Sequence, residues 1–316
     1  MSAETTLHSS LKSHLKELHL PTIRDCYQDT ARMAEAEHLS FEQYLLTVTE
    51  RECETRRTNR IARILRESAL PLEKTMVMFD RSRLPHALNA QVTSLLDGSF
   101  LDRKENVLAF GKSGSGKSHL LSAIAHELVQ KERRVRFTSS SLLVQELLAA
   151  KRDLRLARAL KRLSRYDLLL IDDIGYVQQN REEMEVLFTL LAERYERGSV
   201  MITSNLPFSR WEEIFKDPTT TAAAIDRLVH HSVIIELNLE SYRLEESRKQ
   251  RKAALETNKT SNLSKFPGGI SKAGHPPTPS VYTDDREKSR IKTKGHKNTK
   301  ATASPPPPRG INHREI

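Results

Sequence analysis

The octapeptide Gly111-Lys112-Ser113-Gly114-Ser115-Gly116-Lys117-Ser118 limits what this chain can fold into more than any other stretch. It fits the pattern G-x-x-x-x-G-K-[ST], a loop whose backbone N–H groups cradle phosphates. The apolar run 107–110 precedes it and an amphipathic stretch follows, the strand–loop–helix setting that the pattern requires. Glycine permits the positive φ and the close approach to an anion that such a loop demands. Its amides, helped by the positive end of the following helix, then meet phosphate oxygens. The pattern further implies that Lys117 reaches the β- and γ-phosphates and that the Ser118 hydroxyl ligates magnesium.

A loop of this kind belongs at the mouth of a parallel sheet, and the flanking sequence supplies one. Short apolar runs at 107–110, 135–138, 168–172, 200–204 and 233–237 alternate with helical stretches. Their continuous apolar character suits strands covered on both faces. The alternation predicts a doubly wound α/β domain with a parallel five-stranded sheet. The third run, Leu168-Leu169-Leu170-Ile171-Asp172-Asp173, ends in two acids. Carboxylates at the carboxyl edge of a buried strand face the crevice where such sheets bind ligands. Asp172 is expected to hold the magnesium through its hydration shell, and Asp173 to orient or deprotonate an attacking water. A strand-end turn would explain one aspartate but not a pair beside a phosphate loop. The run 135–138 lies between these two motifs, which marks the P-loop class with an added central strand. In that class a polar residue on the next strand senses the γ-phosphate. Here that strand reads Val200-Met201-Ile202-Thr203-Ser204-Asn205, with Asn205 at its end. An Asn-Leu-Pro turn is the blander account of Asn205.

The rest of the chain divides by composition. Residues 1–100 are helix-patterned, with Leu7, Leu11, Leu15 and Leu18 at spacings of four and three. Ser40 and Gln43 form a capping-box pattern that opens a helix to Glu67, followed by a connector with Leu70, Pro71, Lys74 and Thr75. An α/β domain is expected over 101–256. Beyond 257 the periodicity stops. Eight of the thirteen prolines fall there among Lys, Ser, Thr and Gly, so residues 257–316 are predicted to be a disordered tail.

Charge follows the same division. The chain carries a net +10, but residues 257–316 hold 12 Lys+Arg against 4 Asp+Glu. The remaining 39 basic and 37 acidic residues nearly cancel, so contact between the body and nucleic acid requires local patches. Residues 151–165 offer one, with seven basic residues and the single acid Asp153. Lys151, Arg155, Arg158, Arg162 and Arg165 recur at spacings of 4, 3, 4 and 3, so one continuous helix would align them on one face opposite Leu156, Leu160 and Leu163. Such a face grips DNA phosphates without sequence preference, and it also describes an ordinary solvated helix. Residues 51–66 are basic too, but neighbouring glutamates balance them as helical ion pairs. Cys26 and Cys53 are too few for a disulfide framework or a zinc site and read as thiols of a reducing cytoplasm. No stretch reaches the roughly 18–20 apolar residues of a membrane helix, and no charged-then-apolar leader opens the chain.

Several segments together carry a family likeness. Residues 111–119, 167–176, 202–211 and 225–232 resemble IstB-type transposition helper ATPases of the AAA+ class, close kin of the DnaC helicase loaders. Arg194-Tyr195-Glu196, Thr203-Ser204-Asn205-Leu206-Pro207-Phe208, Asp226-Arg227-Leu228-Val229-His230-His231 and Glu240-Ser241-Tyr242-Arg243-Leu244 are particularly similar. The likeness spans about residues 7–250 and includes Lys74-Thr75. It implies an ATP- and Mg2+-dependent AAA+ ATPase that assembles with copies of itself on duplex DNA and recruits a transposase. It also implies that Arg227 is an arginine finger completing a neighbouring subunit's site, whereas spacing alone fits a surface ion pair. Two departures stand out. Asp173 replaces the glutamate of many AAA+ proteins and is one methylene shorter, which implies slow hydrolysis. After the last strand only 241–255 is helix-patterned, too short for a lid domain.

Three other readings compete. A DnaC-like helicase loader would act on single strands, but the N-terminal zone resembles the transposition proteins. A small-molecule kinase would show an acceptor pocket and an arginine-rich lid segment, and neither is evident. A nucleotide-switched scaffold without turnover is compatible with Asp173.

Overall fold

The computed structural model of the protein describes residues 3–175, 181–212, 218–239 and 241–242. The proline-rich tail 257–316 lies outside them, as does the C-terminal helical stretch except for its first two residues.

Three helices open the chain: α1 (Ala3–Glu17), α2 (Pro21–Ala36) and α3 (Phe41–Ser68). Leu15, Ile23, Tyr27 and Val48 form their own small core. The expected capping box starts α3: Ser40 Oγ accepts from Gln43 N at 3.2 Å, and Gln43 Oε1 accepts from Ser40 N at 2.8 Å. One buried carboxylate ties α2 to α3. Glu52 Oε2 accepts from the amides of Thr22 (2.8 Å) and Ile23 (3.1 Å), while Oε1 takes the Arg56 guanidinium at 2.7 Å. Burial alone would raise this carboxyl's pKa; the Arg56 guanidinium and the two amides outweigh it and hold the pKa below the ordinary carboxylate range. The balance expected for the basic stretch 51–66 comes partly from outside the helix, since Arg57 and Arg60 both pair with Glu132 (3.4 and 2.7 Å).

The remaining elements are α4 (His86–Asp97), α5 (Ser99–Asp102), β1 (Asn106–Phe110), α6 (Lys117–Gln130), β2 (Val135–Ser139), α7 (Ser140–Arg152), α8 (Leu156–Leu163), β3 (Leu168–Ile174), α9 (Arg181–Arg194), β4 (Ser199–Ser204), α10 (Pro218–Val229) and β5 (Ser232–Glu236). The five strands form one sheet in the order β2-β3-β4-β1-β5, with every pairing parallel. That is the expected P-loop AAA+ arrangement, with β3 and β4 between β2 and β1. Strands β3 and β4 are buried on both faces, which explains why their sequences run apolar without alternation. One apolar cluster joins α4, α5 and α6 to one side of the sheet, and a second joins α7, α8, α9 and α10 to the other.

The basic stretch 151–165 departs from expectation. It is not one helix. α7 ends at Arg152, Leu154 adopts φ 58°, and α8 begins at Leu156. The amides of Leu154 and Arg155 fold back on the carbonyls of Lys151 (3.1 Å) and Ala150 (2.7 Å). This paired closure satisfies the last carbonyls of α7 and turns the chain, with no glycine or proline to announce it. The apolar side of the stretch is placed as expected: Leu163 is buried, and Leu156 and Leu160 pack beside it.

Candidate nucleotide site

The loop 111–118 leaves β1 and enters α6, whose first residue is Lys117. Two of its glycines are required by geometry. Gly111 has φ 148°, and a Cβ there would lie 2.3 Å from the Leu237 carbonyl oxygen. Gly114 has φ 81°, and its carbonyl accepts from the Tyr242 amide at 3.0 Å. Lys117 is only 7% exposed, and its Nζ donates to the carbonyls of Gly111 (2.7 Å) and Lys112 (2.9 Å). Those carbonyls hold the ammonium at the centre of the loop. Ser115 Oγ is buried with no partner among the described residues.

The acidic pair sits opposite. Register between β3 and β4 slips between Ile171 and Ile174, so Asp172 and Asp173 occupy an irregular corner. Asp173 has φ 65°. Thr203 of β4 organises both acids. Its Oγ1 donates to Asp172 Oδ1 at 2.6 Å and accepts the Asp173 amide at 2.7 Å. One hydroxyl therefore fixes the Asp172 carboxylate and holds Asp173 in its left-handed conformation. Thr203 opens one of the runs that carry the family likeness, but nothing in an apolar strand marks the partners of its hydroxyl, so the sequence assigns it no role.

Asn205 follows β4, and its Oδ1 is buried without a partner among the described residues. A cavity of about 290 Å³ gathers residues 113–118 with Asp172, Asp173 and Asn205. The Lys117 ammonium and the unpartnered Ser115 hydroxyl can donate to phosphate oxygens, while the two carboxylates and the unpartnered Asn205 oxygen, which accept, suit a divalent cation and water beside the phosphate chain.

The cavity's other wall comes from the connector after α3. Lys74, Phe79, Asp80 and Arg83 line it, together with His119 and Tyr242. Two histidines seven residues apart on α6 fasten that connector. A ring nitrogen of His119 donates to the Thr75 carbonyl at 3.2 Å, and one of His126 to the Pro71 carbonyl at 2.9 Å. Burial lowers the His119 pKa below the usual imidazole value. Phe79 stands edge-on to His119, and the Arg83 guanidinium lies over the Tyr242 ring at 5.4 Å. Most of these residues fall within segments that carry the family likeness, but the sequence assigned none of them a place in the cavity wall.

The IstB-like ATP binding protein family matches residues 13–250. The chain belongs to that family. An insertion sequence ATP-binding protein of Sinorhizobium fredii is 42% identical over 255 residues, covering 79% of this chain and 86% of that one. The IS21 insertion sequence ATP-binding protein of Pseudomonas aeruginosa is 36% identical, covering 76% and 89%. Among solved structures, the DnaC helicase loader is similar at 12% identity and a TM-score of 0.46, over 53% of this chain and 98% of that one. Similarity this slight carries nothing about function.

Two parts of the IstB-like chain lie apart from the cavity. Arg227 on α10 does not line it; its guanidinium rests over the Phe188 ring at 4.7 Å, with Nη1 buried and unpartnered among the described residues. The basic stretch forms a separate open groove that Arg155, Arg158, Lys161, Arg162 and Arg165 line with Glu146 and Asp153. Lys151 instead pairs with Glu185 at 2.8 Å, and Arg162 pairs with Glu146. Among the described residues, Arg155, Arg158 and Arg165 have no ion pair. Arg194 fixes the chain behind this groove. Its buried guanidinium donates to the carbonyls of Leu163, Tyr166, Asp167 and Ser199, and burial pushes its pKa down to about 10.

Proposed function

We propose that this IstB-like protein is a transposition-associated ATPase that binds ATP at the 111–118 loop and hydrolyses it slowly, in an assembly of its own copies on duplex DNA. The observation that carries the reading is the convergence of an unpartnered Asn205 oxygen and a Thr203-braced aspartate pair on one phosphate loop.

Loop amides and Lys117 grip the β- and γ-phosphates, the ammonium turning from the two carbonyls toward the triphosphate. A bound Mg2+ would neutralise phosphate charge, ligated by the Ser118 hydroxyl and held through water by Asp172. Asp173 orients the attacking water, and its short side chain makes the step slow. Asn205 presents its amide to the γ-phosphate. Arg227 stands outside its own chain's cavity and enters that of the adjacent copy, where an arginine supplied in trans is worth about 10³–10⁵ in turnover. Unpaired Arg155, Arg158 and Arg165 hold DNA phosphates, with Lys151 and Arg162 joining once released from their glutamates.

The relatives are named insertion sequence ATP-binding proteins, which supports the transposition-associated part of the reading; recruitment of a transposase and action in the cytoplasm are our own extension of it. In that division of labour, residues 1–100 form a helical N-terminal domain and connector, 101–256 the ATPase, and 257–316 a basic, proline-rich tail. Among the described residues no helix is long and apolar enough to cross a membrane. ATP turnover measured with and without duplex DNA tests the reading. Turnover rises with DNA, vanishes in Arg227→Ala and in Asp173→Ala, and partly returns when the two variants are mixed. No recovery at any mixing ratio excludes a shared site.

A further inference from the structure

The corner between α7 and α8 bears a leucine that the chain's own packing does not explain. The paired bonds closing α7 require a left-handed residue at position 154, where glycine usually stands. Leu154 adopts φ 58°, a conformation that branched side chains rarely take. The other left-handed non-glycine residues described are polar or, at Ala69, small. Leu154 is also 95% exposed, ahead of every other large apolar side chain described. It therefore bears both backbone strain and full hydration, and a substitution to glycine would remove both.

Its surroundings indicate what offsets those costs. Arg155 follows it directly and Arg152 stands two residues before it, with the exposed acid Asp153 between Arg152 and Leu154, and Arg155 opens the basic groove that continues through Arg158 and Arg165. Around this apolar tip cations outnumber the acids Asp153 and Glu146, and Arg155, Arg158 and Arg165 are unpaired among the described residues, a surface complementary to a polyanion with an apolar interior. Stacked base pairs between two phosphate strands have that character. Proteins that distort DNA insert apolar side chains between base steps from the minor groove while cations hold the backbone on either side.

We propose that Leu154 is a wedge that enters a base step of duplex DNA from the minor groove, unstacking it and kinking the helix, while Arg152 and Arg155 grip the flanking phosphates. This rests on the DNA-binding reading above and adds the mode of contact. It also favours pyrimidine–purine steps, which unstack most easily.

The test uses the full chain with a non-hydrolysable ATP analogue and a duplex carrying 2-aminopurine at a TA step and a donor–acceptor dye pair at its ends. Leu154→Gly preserves the helix-ending turn and relieves its strain, so its melting temperature is unchanged or higher. Wild type brings the dyes closer and raises 2-aminopurine fluorescence. Leu154→Gly binds with the same salt dependence but loses both signals, and Leu154→Met, which restores a long apolar side chain, recovers them. The wedge is overturned if Leu154→Gly distorts the duplex as wild type does. It is equally overturned if that variant loses self-association or transposase capture with the distortion intact, because Leu154 is then a protein contact. Absence of any duplex binding by wild type removes the DNA reading itself and the wedge with it.

Discussion

Thr203→Val removes one oxygen from the centre of the site and leaves the shape of the side chain. Thr203 is 1% exposed, and its hydroxyl makes two bonds, one to the Asp172 carboxylate at 2.6 Å and one from the Asp173 amide at 2.7 Å. A hydrogen bond to a charged group contributes about 1.5–3 kcal/mol, and an amide left without an acceptor costs about 1–3 kcal/mol. Asp172 is only partly buried, so water recovers part of the first contribution. Valine opens no cavity, which leaves a net loss of about 2–4 kcal/mol. At about 2–4 °C per kcal/mol for a domain of this size, the melting temperature falls by about 4–16 °C. Thr203→Ser keeps the oxygen and recovers most of that loss. Thermal unfolding of the nucleotide-free protein followed by circular dichroism provides the readout. In parallel, nucleotide affinity changes little while turnover drops, because Asp172 is free to rotate and Asp173 to leave its left-handed conformation. A Thr203→Val melt within about 1 °C of wild type, or a serine variant as unstable as the valine, refutes the reasoning.

Acid unfolding should report Glu52. Its folded pKa lies below the ordinary carboxylate range, so its contribution is fully present above that range and is lost as pH falls through the lowered value. Glu52→Gln therefore lowers stability near neutral pH and flattens its fall with acid; a parallel acid limb in the two proteins contradicts the assignment. Changing Arg155, Arg158 and Arg165 to alanine should reduce the slope of log affinity against log salt by about 0.9 per lost phosphate contact, measured by fluorescence anisotropy on duplex DNA. An unaltered slope clears the groove of that role.

How much of this was legible in the sequence depended on whether a residue's role was written in local pattern. The phosphate loop, the strand ending in Asp172-Asp173 and the capping box at Ser40 each follow from a few adjacent residues, and each stands where expected. Strands β1, β3 and β4 were legible because strands buried on both faces must be apolar throughout, whereas the edge strands β2 and β5 are only partly buried and were marked by their short apolar runs between helical stretches. The roles of Thr203, His119, His126 and Arg194 were not legible, since, apart from the bond from Arg194 to nearby Ser199, their partners lie 27 to 55 residues away and only the fold brings them near. The basic stretch failed for another reason. Its spacing fits a single helix, but the closure at Ala150 and Lys151 places a left-handed turn on a leucine, a residue that does not normally mark one.

The central claim is that the loop at the head of α6 grips a triphosphate through its amides and Lys117. Isothermal titration of the full chain with a non-hydrolysable ATP analogue and Mg2+ tests it directly. One analogue bound per chain, with binding lost in Lys117→Ala and retained in Arg227→Ala, is the expected result. No binding to wild type, or equal binding to Lys117→Ala, contradicts it.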